Sequence, residues 1–542
     1  MDTQRLILFL VFFFSMLLLV EAWMKGSAPQ QQPAARTSVV VPSTASTSLP
    51  ATSSAPSLGA GPVKGEVVRV ETDTLIAEID TVGATLRRLE LKQHRSAEDK
   101  SKNFVLFENE TGKTYLAQSG LLGEGRPNHQ TPYAASGKDF RLTQGQDKII
   151  VDFVAPVGGG LGVAKHYEFH RGAYEIGVRY TLRNETDRPV QTDIYYQLLR
   201  HGNDAAGVSS LAPTYTGGAF YTEKEKFRKV SFKDIDKQKN EVLGQAEDGW
   251  VAMIQHYFLG AWLFPEKVRR EYYAKQAGEN LYAVGAILSG PNLAPGESRE
   301  IRASLYGGPQ QQDKLAQLAP GLNLTVDYGW LTIVASPLFW ALSAINKISG
   351  NWGTSIIILT VIIKLIFFPL SAASYRSMAK MRVVAPKLQR LKELHGDDRQ
   401  KLNQAMMELY KTEKINPLGG CLPIVVQIPV FIALYWVLLA SVELRHAPFA
   451  LWIQDLSAQD PYYVLPVLMG ATMFLQTWMS PAPPDPIQAK VMRIMPVAFS
   501  IFFFFFPAGL VLYWLVNNIL SILQQWQINR TTEHAASAHG KR

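Results

Sequence analysis

The sequence predicts a multi-domain membrane protein made of an N-terminal anchor helix, a large all-β sandwich domain and a C-terminal α-helical bundle of five transmembrane helices with a cytoplasmic helical hairpin. Three patterns predict this fold class: an apolar run at the start of the chain, period-two alternation through the first half, and several long apolar runs in the second half. The 542 residues include a single cysteine, Cys421, so no internal disulfide can form and the β domain must fold by core burial alone.

Residues 1–25 are predicted to be a transmembrane anchor, because the apolar run Leu6–Val20 follows Arg5. A cleaved signal peptide is the alternative, but Val20-Glu21-Ala22 is a poor cleavage site, which favours the anchor. Residues 26–62 are rich in Ala, Ser, Thr, Pro and Gln and almost uncharged. Such a composition cannot bury enough apolar surface to fold, so a flexible linker is predicted there.

Residues 63–326 are predicted to form the β-sandwich. Short alternating stretches such as Thr74–Ile79 and Tyr174–Tyr180 are separated by Gly, Asn and Asp turns at intervals of about ten residues, which is typical of sandwiches and barrels. No convergent catalytic set is visible, and His166, His170 and His201 are interpreted as surface or strand-edge histidines. No cluster has metal-ligand spacing and no P-loop occurs, so neither a metal nor nucleotide hydrolysis is indicated.

Residues 327–349 are predicted to be an amphipathic helix lying in the outer membrane interface. A span is the alternative for Tyr328–Ile345, which lacks charge but contains Pro337. The anchor is predicted to carry the chain out of the cytoplasm, and the span Ser355–Leu370 to carry it back. No segment between these two can then cross the membrane. The interfacial helix would place five apolar side chains in lipid: Trp330, Leu331, Val334, Leu338 and Leu342.

The loop charges set the predicted orientation. Ten Lys and Arg lie between Ser371 and Asn416, whereas the loop from Val442 to Pro461 contains only Arg445 among three acidic residues. The positive-inside rule places the first loop in the cytoplasm and the second outside.

Residues 350–528 are predicted to be the five-span core. Its spans are Ser355–Leu370, Leu422–Ala440, Tyr462–Met479 and the long run Val491–Gln524, which Pro507-Ala508-Gly509 divides into two. With the anchor there are six spans, so both termini, including the tail 529–542, are predicted to be cytoplasmic.

Residues 375–415 are predicted to form the cytoplasmic helical hairpin, turning at Gly396, Asp397 and Asp398. Leucine and methionine stripes would join its two helices: Leu388, Leu391 and Leu394 on the first, Leu402, Met406 and Leu409 on the second. Two interpretations stay open. The hairpin is either a solvated helix pair or a docking arm for ribosomal RNA, targeting factors or anionic lipid, with electrostatic contacts and no specific nucleic-acid sequence.

Lys364 is the unusual residue of the core, because an ammonium inside a span costs roughly 2.5–3.5 kcal/mol on insertion scales. It either snorkels to the interface or provides a fixed positive charge in a polar cavity. Thr360, four residues earlier, shares its helix face. Further polar or amphipathic residues occur in the other spans: Gln427, Gln476, Ser500, Tyr513, Trp514, Asn517 and Asn518.

These polar residues are either ordinary interhelical hydrogen bonds or, together with Lys364, the lining of a hydrophilic groove. A solute or proton transporter would more often contain intramembrane Asp or Glu, and the predicted spans contain none.

Four motifs carry a family resemblance. Asn416–Pro423 reads NPLGGCLP, Ala447–Ile453 reads APFALWI, Asp460–Tyr463 reads DPYY and Phe506–Leu510 reads FPAGL. In these motifs the five-span core, residues 350–528, resembles the YidC/Oxa family of membrane-protein insertases. The anchor, linker and large β domain resemble the Gram-negative form, whose periplasmic domain is similar to a sugar-mutarotase-type supersandwich.

The resemblance implies a non-enzymatic insertase and foldase without cofactors, which inserts nascent inner-membrane proteins through a groove open to the cytoplasm and to lipid. It implies that Lys364 occupies the groove position where Arg is common, and that Tyr513-Trp514 stands for a Tyr-Tyr pair. The full expected groove set is Thr360, Lys364, Gln427, Ser500, Tyr513, Trp514 and Asn517.

Expected partners are nascent membrane proteins, the Sec translocon, the ribosome and signal-recognition targeting machinery, and the lipid bilayer. The expected location is the inner membrane, with residues 26–349 in the periplasm. A polytopic transporter and an envelope glycan-binding membrane protein are the alternative functions.

Overall fold

The computed structural model describes residues 65–110, 112–203, 215–238, 244–395, 398–413, 422–480 and 486–539. The predicted anchor (1–25), the whole predicted linker (26–62), and the hairpin residues Gly396 and Asp397 lie outside these ranges, as do residues 416–421 of the first family motif. Two compact units are present. One contains the β domain with the segment 440–443, and the other contains the helices from Trp330 onward.

The first unit is built on two large sheets. The larger sheet has ten strands in the order β15-β18-β19-β12-β5-β4-β3-β2-β1-β7. In chain order these strands are β1 Val67–Glu71, β2 Leu75–Asp80, β3 Thr85–Arg95, β4 Asn103–Glu110, β5 Lys113–Leu121, β7 Asp139–Arg141, β12 Ile194–His201, β15 Gln245–Ala246, β18 Arg270–Gly278 and β19 Leu281–Leu288.

The second sheet has nine strands in the order β14-β13-β16-β17-β21-β10-β9-β8-β6. They are β6 Ala134–Ala135, β8 Lys148–Val154, β9 Leu161–His170, β10 Glu175–Asn184, β13 Gly217–Thr222, β14 Lys226–Val230, β16 Trp250–Gln255, β17 Phe258–Leu263 and β21 Ser298–Pro309. A small ribbon pairs β11 Val190–Gln191 with β20 Asn292–Leu293. Two short helices belong to this unit, α1 Phe232–Asp236 and α2 Gln312–Leu318.

The core between the sheets explains the sequence pattern. In β9 and β10 every second side chain is buried, as strict alternation requires. In β16 and β17 all side chains are buried, so both faces of these strands are covered. Large aromatic side chains fill the interior, including Trp250 and Trp262. The predicted large β-sandwich followed by a helical region is confirmed.

The three histidines make structural contacts within this unit. The His166 ring bonds Asp152 Oδ1 at 2.6 Å and Thr181 Oγ1 at 3.1 Å across neighbouring strands. His201 Nδ1 accepts the Thr114 amide at 3.0 Å, and His170 lies 3.2 Å from a Glu168 oxygen. The contacts of His166 and His201 join adjacent strands, which is consistent with a role in strand pairing, whereas His170 and Glu168 lie on the same strand, β9.

The second unit consists of eight described helices. They are α3 Thr332–Ser349, α4 Trp352–Ile366, α5 Phe368–His395, α6 Arg399–Thr412, α7 Leu422–Ala440, α8 Val464–Met479, α9 Pro486–Phe503 and α10 Ala508–His539. In the described part of the chain, no helix taken singly combines the length and the apolar character of a membrane span. Trp352–Ile366 and Phe368–Met381 meet that condition jointly, across a bend of 66°.

The bend corrects the predicted continuous span Ser355–Leu370. Helix α4 ends at Ile366, and Phe367 leaves the helical conformation before α5 begins. Pro369 accounts for the break, because proline has no amide hydrogen and its ring clashes with the carbonyl four residues earlier. Lys364 therefore lies in the last turn of α4, where the helix dipole favours a cation.

Helix α3 exposes a different apolar face from the predicted one. Leu331 and Leu342 are buried, whereas Ile333, Trp340 and Ile348 are 87%, 74% and 91% exposed. The sequence pattern alone was misleading here because apolar residues occur on both faces of α3, and one face packs against α4. The exposed stripe keeps the amphipathic character that an interfacial helix needs.

The hairpin helices α5 and α6 pack through a cluster that only partly matches the predicted stripes. Val384 and Leu388 are buried against Met406 and Leu409, with further contacts from Met381 and Tyr410. Leu394 of the predicted stripe is 74% exposed. Asp398 caps α6, its carboxylate accepting the amides of Gln400 and Lys401.

The loop between α7 and α8 holds the ends of other helices. The amides of Ala508 and Gly509 donate to Ala458 O and Leu456 O at 2.7 and 2.9 Å. At the start of α4, Asn351 Nδ2 donates to Phe449 O at 3.0 Å. The loop thereby ties α4 and α10 to α8 at one end of the bundle.

Candidate functional site

Helix α10 is central to the bundle, since it packs against α4, α5 and α8. Tyr513, Asn517, Ser521 and Gln525 recur at intervals of four residues and share a face, and all four are buried. A buried polar face in an apolar bundle must find its hydrogen bonds inside the protein.

Lys364 of α4 reaches this face. Its Nζ donates to Ser521 Oγ at 2.7 Å, and Ser521 Oγ in turn donates to the carbonyl oxygen of Asn517 at 2.8 Å. Within the described part of the chain, no carboxylate lies within 4 Å of this ammonium. The positive charge is therefore neutralised by no acidic side chain there and is stabilised only by dipoles.

Gln427 of α7 joins the same face. Its Nε2 donates to Asn517 Oδ1 at 2.5 Å and lies 3.4 Å from the Tyr513 hydroxyl. We call Lys364, Gln427, Tyr513, Asn517 and Ser521 the polar cluster; it draws on three helices. Four of these five residues belong to the groove set expected from the sequence.

Thr360 is buried on the Lys364 side of α4, but its hydroxyl donates to Ile356 O of its own helix at 2.6 Å. Its hydrogen is therefore already used, and only its lone pairs remain available. In the described part of the chain, the Thr360 hydroxyl donates to none of the residues of the polar cluster.

Trp514 and Ser500 lie apart from the polar cluster. The Trp514 ring packs against Phe431 and Phe503, and its buried Nε1 has no hydrogen-bond partner among the described residues. Ser500 Oγ donates to Pro466 O at 2.9 Å, linking α9 to α8. Both residues take part in helix packing, neither contacts Lys364 among the described residues, and their place in a groove stays a prediction.

Several polar residues near the cluster were missed at the sequence level. Ser521 is the important one, and its position four residues after Asn517 was a usable signal. Gln524 Nε2 donates to Phe368 O at 3.2 Å, at the start of α5. Gln525 Nε2 lies 3.4 Å from Met479 O, while its Oε1 has no partner among the described residues.

The polar cluster offers amide, hydroxyl and ammonium groups, all of which can form hydrogen bonds with polar groups of a bound chain. In the part of the chain that the structure describes, no group of three or more His, Cys, Asp or Glu residues could hold a metal ion.

Comparison with known families covers nearly all of the described chain. Residues 67–341 match the family described as the YidC periplasmic domain. Residues 344–535 match the family described as the 60Kd inner membrane protein. The boundary between the two matches falls inside α3.

Full-length relatives share about half of their residues with this chain. The membrane protein insertase YidC of Methylobacillus flagellatus is 54% identical over 550 residues, covering 99% of each chain. That of Nitrosospira multiformis is 53% identical, covering 100% of this chain and 99% of the relative. A crystal structure described as an active YidC insertase with its first transmembrane domain resolved covers 85% of this chain at 19% identity and a TM-score of 0.40.

Proposed function

The chain belongs to the YidC family and is a membrane protein insertase, and we propose that the polar cluster is the place where it receives the hydrophilic part of its substrate. Nascent membrane proteins are its substrates and the inner membrane is its location, as for its relatives.

The observation that supports the proposal most strongly is the hydrogen bond between Lys364 and Ser521. A snorkelling lysine would extend toward the headgroups, whereas this ammonium is directed into the bundle. A cation without an acidic partner costs free energy, so its retention favours a function.

Insertion requires that a short hydrophilic segment leave water. The polar cluster supplies amide and hydroxyl groups that replace part of the lost hydration, and Lys364 attracts acidic side chains of the segment. The free-energy cost of dehydrating that segment is lowered, and the adjoining apolar segment enters lipid by hydrophobic transfer. No covalent step is needed, so the protein is proposed to act without enzymatic chemistry or a cofactor.

Exposed apolar side chains near the polar cluster provide a path into lipid. Ile428 of α7 and Ile519 and Leu523 of α10 are all exposed, and they are borne by the helices that carry Gln427 and Ser521. A substrate segment at the polar cluster would therefore have apolar protein surface beside it and lipid beyond.

The orientation follows the loop charges. Both termini and the hairpin are proposed to lie in the cytoplasm, and residues 26–349 in the periplasm. The hairpin is proposed to meet the ribosome and the signal-recognition targeting machinery by electrostatic contacts, and the protein is proposed to act alone or beside the Sec translocon.

The test uses the full-length protein in lipid vesicles with two substrates that differ only in their translocated tail, one carrying two Asp and one carrying two Asn. Lys364→Ala should lower insertion of the acidic substrate about tenfold and that of the neutral one much less, because one buried charge contact is lost. Lys364→Arg should retain the acidic preference.

Lys347→Ala is the matched control, since Lys347 is an exposed lysine of α3. Equal insertion of both substrates by Lys364→Ala at wild-type rates would remove Lys364 from the mechanism.

A further inference from the structure

We propose that Ser521 is the positioning residue of the insertion site: its hydroxyl holds the Lys364 ammonium against α10 and so fixes where acidic groups of an incoming chain bind. This inference rests on the proposed function of Lys364 and adds the residue that sets the position of the Lys364 ammonium.

The hydrogen bonds of Ser521 determine its role. A hydroxyl has one hydrogen and two lone pairs. The hydrogen is donated to the Asn517 carbonyl at 2.8 Å, so a lone pair is left to accept from Lys364 Nζ at 2.7 Å. With 3% of its surface exposed, Ser521 is not reoriented by solvent. The acceptor for the ammonium is therefore fixed by the backbone of α10.

The ammonium has another position within reach. The loop charges predict that Lys364 lies in the cytoplasmic half of its span, and a lysine stem of four methylene groups can extend from there toward the membrane surface. Ser521 is the hydrogen-bond partner of Lys364 in the described part of the chain. If the hydroxyl were removed, the snorkelled position would be favoured, and the charge would leave the polar cluster.

The remaining donors of Lys364 can bind a substrate. An ammonium has three N–H groups, and Ser521 occupies one of them. The other two can donate to carboxylate oxygens of a substrate that reaches the position at which Ser521 holds the ammonium. The donors of an arginine guanidinium have a fixed planar geometry, whereas a lysine ammonium sits on a flexible stem. A second residue must therefore hold the lysine ammonium in place.

The experiment measures the ratio of insertion of the acidic to the neutral substrate in vesicles containing the full-length protein. Ser521→Ala should lower that ratio about two- to tenfold, because insertion of the acidic substrate should fall more than insertion of the neutral one. Ser521→Thr, which keeps the hydroxyl, should restore the ratio.

Ser355→Ala is the matched control. Ser355 is also a buried helical serine whose hydroxyl donates to the carbonyl four residues earlier, Asn351 O at 2.8 Å, but it is in the first turn of α4. The ratio of acidic to neutral substrate insertion in Ser355→Ala should equal that of the wild type.

Three outcomes would overturn the proposal. In the first, Ser521→Ala lowers insertion of both substrates equally, which is the result of a purely structural role. In the second, Ser521→Thr behaves as Ser521→Ala does. In the third, Lys364→Ala loses the acidic preference while Ser521→Ala keeps it, which removes the positioning role but leaves the proposed function standing. If Lys364→Ala itself retains the preference, the proposed function falls with it.

Discussion

The Nζ atom of Lys165 donates a hydrogen bond of 2.8 Å to the carbonyl oxygen of Ala84, 81 residues earlier in the chain. Lys165 is fully buried in the β-sandwich, and Tyr167 OH donates to the same carbonyl at 2.6 Å. Ala84 has a φ of +44° in the turn between β2 and β3. Two buried donors thus stabilise a turn whose backbone conformation is unfavourable for alanine.

Stability of the β unit should depend on pH through Lys165, because burial lowers the pKa of its amine from 10.5 to about 7. Between these values the unfolded state binds the proton and the folded state does not, so stability falls as pH drops from about 10 to about 7 and is then constant. The expected loss is at most about 5 kcal/mol.

Lys165→Met should remove this pH dependence, so the variant gains stability relative to wild type as pH falls from 9.5 to 7. Urea unfolding of the full-length protein in detergent, followed by pulse proteolysis of the β unit, measures the difference. Lys148→Met is the control, because Lys148 is exposed and paired with Glu168. Parallel stability curves for wild type and Lys165→Met would contradict the prediction.

Gly353→Ala should destabilise the helical unit. A Cβ at this position in α4 would come within 2.1 Å of the Phe449 ring, closer than any real contact. Overpacking of this kind costs about 1–3 kcal/mol. The thermal unfolding midpoint in detergent should fall, and adding Phe449→Ala should restore part of it because space is created. A double variant less stable than both single variants would show that the ring is not the obstacle.

Gln427 and Asn517 should be energetically coupled, since their side chains share a hydrogen bond of 2.5 Å between α7 and α10. A double-mutant cycle with Gln427→Ala and Asn517→Ala should give a coupling of about 1 kcal/mol, the upper range for polar pairs in membrane bundles. Unfolding free energies in detergent provide the four corners of the cycle. The pair Gln427→Ala and Ser355→Ala should be additive, and additivity of the first pair would mean that the bond contributes nothing.

Asp460→Ala should loosen the loop before α8. The buried Asp460 carboxylate accepts Trp452 Nε1 at 2.9 Å and the amides of Tyr462 and Leu465 at 3.0 and 2.7 Å. Its removal leaves buried donors unsatisfied at a cost of about 1–3 kcal/mol each. Hydrogen exchange of residues 460–466 should accelerate at least tenfold in Asp460→Ala and less in Asp460→Asn, which keeps one acceptor. Unchanged exchange in both variants would show that the carboxylate does not hold the loop.

The β-sandwich was predictable because strand alternation is a local property. A side chain at every second position must face the core of a half-buried strand, and β9 and β10 follow that rule residue by residue. The break before α10 was predictable for a similar reason, since Pro507 directly precedes α10 and proline is favoured where a helix begins. Pro369 carried the same information about the end of α4, and its effect was overlooked because the surrounding residues are uniformly apolar.

The sequence by itself determined which polar groups are placed within apolar segments: Lys364, Gln427, Tyr513 and Asn517 are visible as departures from an apolar pattern. Their partners were decided only by the tertiary structure, because a hydrogen bond between helices depends on helix rotation and on how closely the axes approach. Ser521 illustrates the point, since an isolated serine in a helix usually bonds its own backbone. It does so here, and only the packing of α4 against α10 brings the Lys364 ammonium to one of the two lone pairs of Ser521.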